Sequence, residues 1–251
     1  MLFQELWRRG LDWDDPLDED IQREWSSWQS ELSKISDVAI PRCFGEGISQ
    51  NSRVDLHGFG DASPKAYGTA IYIRITDENG RTTTQLVMSK SRVAPIKTVS
   101  LPRLELLAAV VNSRLITYVS GTLTVKPNRI VCFTDSMVVL YWIKRQSASW
   151  KPFVANRVAE IQGLCDPDCW RYCPSKDNPA DLLTQGISCT DMATSELWWN
   201  GPSWLCLPVE CHPSELKSAT QEMPEKCGKE RSPVHSYATV ASKPVIVVKR
   251  D

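Results

Sequence analysis

A mixed α/β layer fold is the architecture this sequence predicts, and three observations carry it. Residues 51–90 are rich in β-formers and are interrupted by the turn signal Asp77-Glu78-Asn79-Gly80. Residues 100–119 then show helical spacing. Arg129–Thr134 is a nearly continuous apolar run, the composition of a strand covered on both faces. A hairpin-fed sheet completed by crossover helices accommodates all three.

Taken in chain order, residues 1–50 read as a helical lead-in. Ile21, Trp25, Trp28, Leu32 and Ile35 recur at spacings of four and three, which makes one apolar helix face. Asp18 is placed to cap that helix, and Glu19 and Asp20 complement its dipole. Two tryptophans on one stripe call for burial, either on the next domain or on a neighbour outside the chain.

Residues 54–60, 68–75 and 82–89 predict an antiparallel meander. The helix at 100–119 has Ser100 as its cap and Pro102 in its first turn, where a missing N–H costs nothing. Leu104, Ala108, Val111 and Leu115 form its buried stripe. After the strand at 129–134 come helices at 137–144 and 151–163, a short strand at 169–173, and a last short helix opened by Asn178-Pro179-Ala180-Asp181. The order is β-β-β-α-β-α-α-β-α. Residues 51–190 form the expected domain, and 191–251 a Trp-rich extension and a flexible, disordered tail, polar beyond about residue 208.

Bulk composition narrows the function. The 251 residues, 42% of them hydrophobic, suffice for one domain with extra segments. A net charge of −1 means that any nucleic-acid contact needs a local basic patch. No apolar run approaches the roughly 18 residues of a membrane span, and the N-terminus lacks a signal-peptide pattern. Nine scattered cysteines show no disulfide framework, which points to a reduced intracellular setting, cytoplasmic or nuclear, not to secretion. Cys165, Cys169 and Cys173 are spaced by four, which fits no zinc finger or ribbon; isolated thiols near a strand are the simpler reading. Cys206, Cys211 and His212 make a weaker set still.

Chemistry concentrates in four carboxylates. Asp61 follows the first strand, Glu105 lies in the first turns of the long helix, Asp135 follows the apolar strand, and Asp181 opens the last helix. Each alone has a bland account: turn former, helix cap or surface ion pair. If strands 54–60 and 129–134 are neighbours, Asp61 and Asp135 emerge at one sheet edge. Four converging carboxylates are a site for hard divalent cations. His57 reads as a structural or surface histidine and Trp142 as core.

Longer blocks then suggest a family. FGDAS at 59–63, SKSRVAPIKTVSLPRLELLAA, FTDSMVVLYWI, PSKDNPADLLTQG and LWWNGPSWL resemble the ribonuclease H-like region of BEL/Pao-type LTR retrotransposon polyproteins, over about residues 2–208. The resemblance implies a ribonuclease H-like mixed five-stranded sheet flanked by helices. It implies that Asp61, Glu105, Asp135 and Asp181 bind two Mg²⁺ or Mn²⁺ ions and catalyse hydrolysis of the RNA strand of an RNA–DNA hybrid. Lys90, Arg92, Lys97 and Arg103, clustered ahead of Glu105, would contact phosphates.

Residues 1–50 would connect to a reverse transcriptase. No polymerase or integrase motif is present, so the chain reads as a truncated piece whose partners are those absent parts. Two positions depart from the family pattern: Tyr172 stands where a histidine is usual, and Gln185 where an arginine tends to precede glycine. They motivate an alternative, a non-catalytic nucleic-acid-binding or connection module. A third reading, an aspartic peptidase, needs Asp-Thr-Gly or Asp-Ser-Gly loops, whereas Asp61-Ala62-Ser63 and Asp135-Ser136-Met137 lack the glycine.

Overall fold

Three strands form where the β-rich segment predicts them, each a little longer than expected. The structure, a computed structural model, describes residues 2–40, 43–44, 51–213 and 225–232. Helices α1 (Leu2–Arg9) and α2 (Glu19–Leu32) precede the strands β1 (Arg53–Ala62), β2 (Ala66–Thr76) and β3 (Thr82–Val93). In the β2–β3 turn the Asp77 carboxylate accepts the backbone N–H groups of Asn79 and Arg81 at 2.9 and 2.8 Å. Gly80, at φ +79°, takes the left-handed position, and Asn79 does not need it.

Helix α3 (Leu101–Thr122), strand β4 (Arg129–Thr134), helices α4 (Met137–Ile143) and α5 (Pro152–Leu164), strand β5 (Trp170–Tyr172) and helix α6 (Asp181–Gln185) follow in the expected order. The sheet runs β3-β2-β1-β4-β5. β2 pairs antiparallel with both β1 and β3, whereas β4 runs parallel to β1 and to β5. This mixed five-stranded sheet with flanking helices is the arrangement that the family resemblance implies. Among the described residues no helix is long and apolar enough to cross a membrane.

The pleat of β1 sends residues alternately to two cores. Val54 and Leu56 join Ile71, Leu106, Ile116, Cys132 and Trp142 beneath α3, α4 and α5. Phe59 joins Tyr72, Phe133, Trp198 and Leu205 on the other face. That second face is closed by helices α7 (Cys189–Thr194) and α8 (Glu196–Asn200) and the turns after them. The Tyr72 hydroxyl donates to the Trp198 carbonyl at 2.7 Å, Arg74 Nε to the Leu205 carbonyl at 2.8 Å, and the Thr84 hydroxyl to the Asn200 carbonyl at 2.7 Å. The Trp-rich extension is therefore part of the domain, because a sheet this apolar on both faces needs a second cover.

The tail expectation changes at one segment. Residues 225–232 dock on α3 and α5: the Glu230 carbonyl accepts from the Lys151 N–H at 2.7 Å, and Cys227 is buried. Arg231 bridges Trp150, a contact between residues too distant in sequence for local pattern to reveal. Residues 214–224 and 233–251, the rest of that expectation, lie outside the described residues, as do 41–42 and 45–50 of the lead-in. In α2 only Ile21 is buried; Trp25 and Trp28 stay 39% and 49% exposed, their ring centroids 5.2 Å apart. Asp18 occupies the cap position without capping, since its carboxylate accepts from Arg9 at 2.7 Å.

Helix α3 approaches β1 closely, which glycine permits. A Cβ at Gly58 would lie 2.1 Å from the side-chain oxygen of Asn112, itself fully buried. Gly58→Ala is expected to cost about 1–3 kcal/mol by overpacking. Gly121→Ala, with nothing within 4 Å of its Cβ, should instead be neutral or slightly stabilising. Urea denaturation of both variants checks the contrast; equal effects would show that the approach is not tight.

Candidate active site

Parallel pairing sets the first two carboxylates side by side. Gly60 of β1 lies opposite Thr134 of β4, so the next residue of each chain, Asp61 and Asp135, leaves the same sheet edge. Asp61 is 7% exposed. Asp181 arrives from the other side of the chain, in the first turn of α6. Asp61, Asp135 and Asp181 each offer an oxygen, and these oxygens lie within 4.8 Å of one another.

Glu105, the fourth acid expected there, is not among the three whose oxygens cluster, and it is tied to Asp135 through the next residue. Its Oε2 accepts from the Ser136 hydroxyl at 2.5 Å, and Ser136 follows Asp135 directly. Ser136 also caps α4, accepting the Val139 N–H at 3.3 Å. One hydroxyl thus fixes the start of α4 and the direction of Glu105 together.

Further side chains hold the site. The Ser175 hydroxyl donates to Asp135 Oδ2 at 2.6 Å. The Thr184 hydroxyl donates to Asp61 Oδ2, and the Thr184 carbonyl accepts from Ser63 at 2.8 Å. Asn178, fully buried, donates its amide to the Gly60 carbonyl at 3.1 Å and accepts the Ala180 N–H at 3.2 Å. The Asn-Pro-Ala-Asp run is therefore a clamp: Asn178 ties the start of α6 to the residue before Asp61. Gln185 Nε2 reaches Asp181 Oδ2 at 3.4 Å, so the residue at this departure from the family pattern touches the site as a neutral donor.

Among the described residues no Lys or Arg pairs with Asp61, Asp135 or Asp181, although ion pairs occur elsewhere. The electrostatic consequence is visible in the acids. Burial raises the Asp135 pKa above the usual carboxylate value, with the charge of Asp61 adding and the Ser175 bond offsetting. Asp181 is pushed up to about 7, first by burial, then by the charge of Asp61, the hydrogen bond between the two carboxyls, and Asp135. Oxygen donors crowded without a counter-charge fit hard divalent cations, which would supply the missing positive charge.

The basic residues divide. Lys90 and Arg92 lie exposed at the end of β3, and Lys97 is exposed in the connection to α3. Arg92 lines a cleft of about 390 Å³ with Tyr67, Arg114, Asn156, Arg157 and Glu160. Arg103 is turned elsewhere: its guanidinium pairs with Glu230 at 2.8 Å and stands 4.8 Å from the Phe153 ring centroid. Arg114 and Arg157, in the cleft, look in sequence like ordinary solvated helix residues; only packing of α3 beside α5 brings them to Arg92. His57 is fully buried, stacked on Phe133 with centroids 6.1 Å apart, and neither ring nitrogen has a hydrogen-bond partner among the described residues. It is structural. Tyr172 lies partly buried on β5 against the first core.

A pH dependence follows from Asp181. Between its ordinary 3.8 and about 7, the folded chain keeps a proton that the unfolded chain has released. Cation-free stability therefore falls as pH rises through that window. Asp181→Asn should raise cation-free stability at pH above 7 by about 1–2 kcal/mol after discounting for solvent screening, with the gain vanishing in acid. Denaturant unfolding across pH in a chelator tests this; a gain that persists in acid would contradict it.

Solved structures that align with this chain include ribonucleases H. The N-terminal RNase H domain of Rv2228c from Mycobacterium tuberculosis aligns over 54% of this chain and 92% of its own, at 14% identity and TM-score 0.33. RNase H1 from Halobacterium salinarum NRC-1 aligns over 53% and 95%, at 16% identity and TM-score 0.33. LC11-RNase H1, isolated from compost and solved with an RNA/DNA hybrid, aligns over 57% and 100%, at 17% identity and TM-score 0.35. No curated protein matches the chain. The sequence model of one family spans residues 1–136, more than half of the 251 and inclusive of Asp61, Glu105 and Asp135, so the chain belongs to the Pao retrotransposon-like RNaseH-like domain family.

Proposed function

We propose that this domain hydrolyses the RNA strand of RNA–DNA hybrids at a site holding two divalent cations, Mg²⁺ or Mn²⁺. The observation that carries the reading is the convergence of Asp61, Asp135 and Asp181 within 4.8 Å, without a Lys or Arg to neutralise them among the described residues. Bound cations would supply an activated water and charge stabilisation at the leaving oxygen.

The chain's own residues do the positioning. Asp61 and Asp135 present oxygens from adjacent strand ends, and Ser175 and Thr184 fix their carboxyl planes. Ser136 directs Glu105 toward the same edge. Asp181 keeps a proton near neutral pH in the cation-free state, which relieves repulsion until positive charge enters. In this reading exposed Lys90 and Arg92 supply the positive surface for a nucleic-acid backbone, beside Arg114, which pairs with Glu160, and Arg157, which lies over the Phe153 ring. Arg103 braces the docked 225–232 segment through Glu230. The exposed Trp25–Trp28 stripe supports a protein neighbour, of reverse-transcriptase type in this reading.

Gln185 and Tyr172 favour a second reading, a hybrid-binding module without turnover. A labelled RNA–DNA hybrid incubated with the protein and Mg²⁺ or Mn²⁺ separates the two. Cleavage confined to the RNA strand is expected. Asp135→Asn should lower it by at least roughly a hundredfold, and Ser136→Ala and Ser175→Ala by roughly ten- to a hundredfold, because they remove supports of the carboxylates. A folded, hybrid-binding protein that cleaves with neither cation would establish the second reading.

A further inference from the structure

The fold assembles a thiol cluster that linear spacing does not suggest. Cys165 and Cys169 are brought together with Cys132 of β4, and Cys173 is sent to the opposite face of the sheet. The sulfurs of Cys132, Cys165 and Cys169 lie within 4.8 Å of one another. Cys132 is fully buried, Cys165 nearly so, and Cys169 partly open to solvent. We propose that Cys132, Cys165 and Cys169 form a binding site for a thiophilic d¹⁰ cation of the Zn²⁺ type, distinct from the carboxylate site, with a fourth position on the Cys169 side open to water.

The geometry is close to what such an ion needs. Sulfurs each about 2.3 Å from one zinc lie about 3.8 Å apart, so closing the cluster takes side-chain rotation, not movement of the backbone. All three sulfurs would bind as thiolates, so an ion must displace the protons that mutual hydrogen bonding and burial hold on Cys132 and Cys169. Ser113 and Thr117 of α3 stand beside Cys165, while their hydroxyls donate to the Ala109 and Ser113 carbonyls at 3.1 and 2.7 Å. A dication offsets most of the charge of three thiolates, whereas a monovalent ion leaves more of it buried. A disulfide would use only two of the three sulfurs and leave the third without purpose.

The consequence is mechanical. Cys132 lies on the strand that delivers Asp135, and Cys165 and Cys169 bracket the turn between α5 and β5. An ion there would staple β4 to the approach of β5, and its binding energy would add to folding stability.

The test uses the full chain, reduced and stripped with a chelator, then titrated with Co²⁺ and with Zn²⁺. One equivalent of Co²⁺ should give thiolate-to-metal charge-transfer absorption and the visible bands of a tetrahedral ion. Zn²⁺ should displace it and raise the thermal midpoint. Cys169→Ser, at the partly open position, should weaken binding by at least roughly tenfold while far-UV circular dichroism stays unchanged. Cys173→Ser and Cys189→Ser should bind as the parent does. Carboxylate oxygens give no thiolate band, so the Asp61 site cannot mimic this signal. Absence of the band, a band that survives both Cys165→Ser and Cys169→Ser, or a Cys165–Cys169 disulfide in the reduced preparation would overturn the proposal.

Discussion

Parallel pairing of β1 with β4 is the constraint from which the site and much of the packing follow. With Gly60 opposite Thr134, Asp61 and Asp135 become neighbours by register alone. A slip of one residue would move every side chain of β4 to the wrong face and carry Asp135 away from Asp61. The register is held by two interdigitated cores: Leu56 and Cys132 on one side, Phe59 and Phe133 stacked at 4.8 Å on the other. The same pairing requires α3 to lie flat on β1, which is why Gly58 faces Asn112 and why Glu105 reaches the edge where Ser136 meets it.

A cluster of like charges is a cost that the rest of the domain offsets. Asp181 rides on a helix of five residues, too short to place itself. Asn178 and Ser63 anchor that helix at either end to the β1 edge, while Leu182 and Leu183 pack it on the second core. Among the described residues hydroxyls donate to Asp61, Glu105 and Asp135 and the Gln185 amide to Asp181, so the carboxylates are oriented without being neutralised. Ion pairing is used elsewhere: Asp55 is buried with Arg74 beneath the extension, and Arg103 is committed to Glu230. Lys90 and Arg92 lie exposed at the end of β3, and in the α3–α5 cleft Arg114 is paired with Glu160.

The fold was largely legible because its signals are local. Apolar periodicity marks α3 and α5, a continuous apolar run marks β4, and Asn79-Gly80 marks the hairpin. Asp61, Glu105, Asp135 and Asp181 stood out as candidates from their positions at strand and helix ends together with the family blocks around them. Their supports were not. Ser175, Thr184, Ser136 and Asn178 are residue types that usually serve turns and caps, and nothing in their spacing separates a carboxylate-orienting hydroxyl from an ordinary one. Cys132 was hidden in a strand whose apolar character explained it fully. The docking of 225–232 was missed because polar, proline-flanked composition argues for a tail, whereas the contact rests on a few long-range bonds to Lys151 and Arg103.

By itself the sequence determined the element order, the two-faced burial of β4 and which acids are candidates for the site, since each depends on side-chain pattern within a short window. Tertiary structure decided which residues meet: Arg92 with Arg114 and Arg157, Arg103 with Glu230, and Cys132, not Cys173, with Cys165 and Cys169. The physical reason is that side-chain chemistry acts over a few ångströms. Only strand order, register and helix placement bring residues distant in sequence within that range.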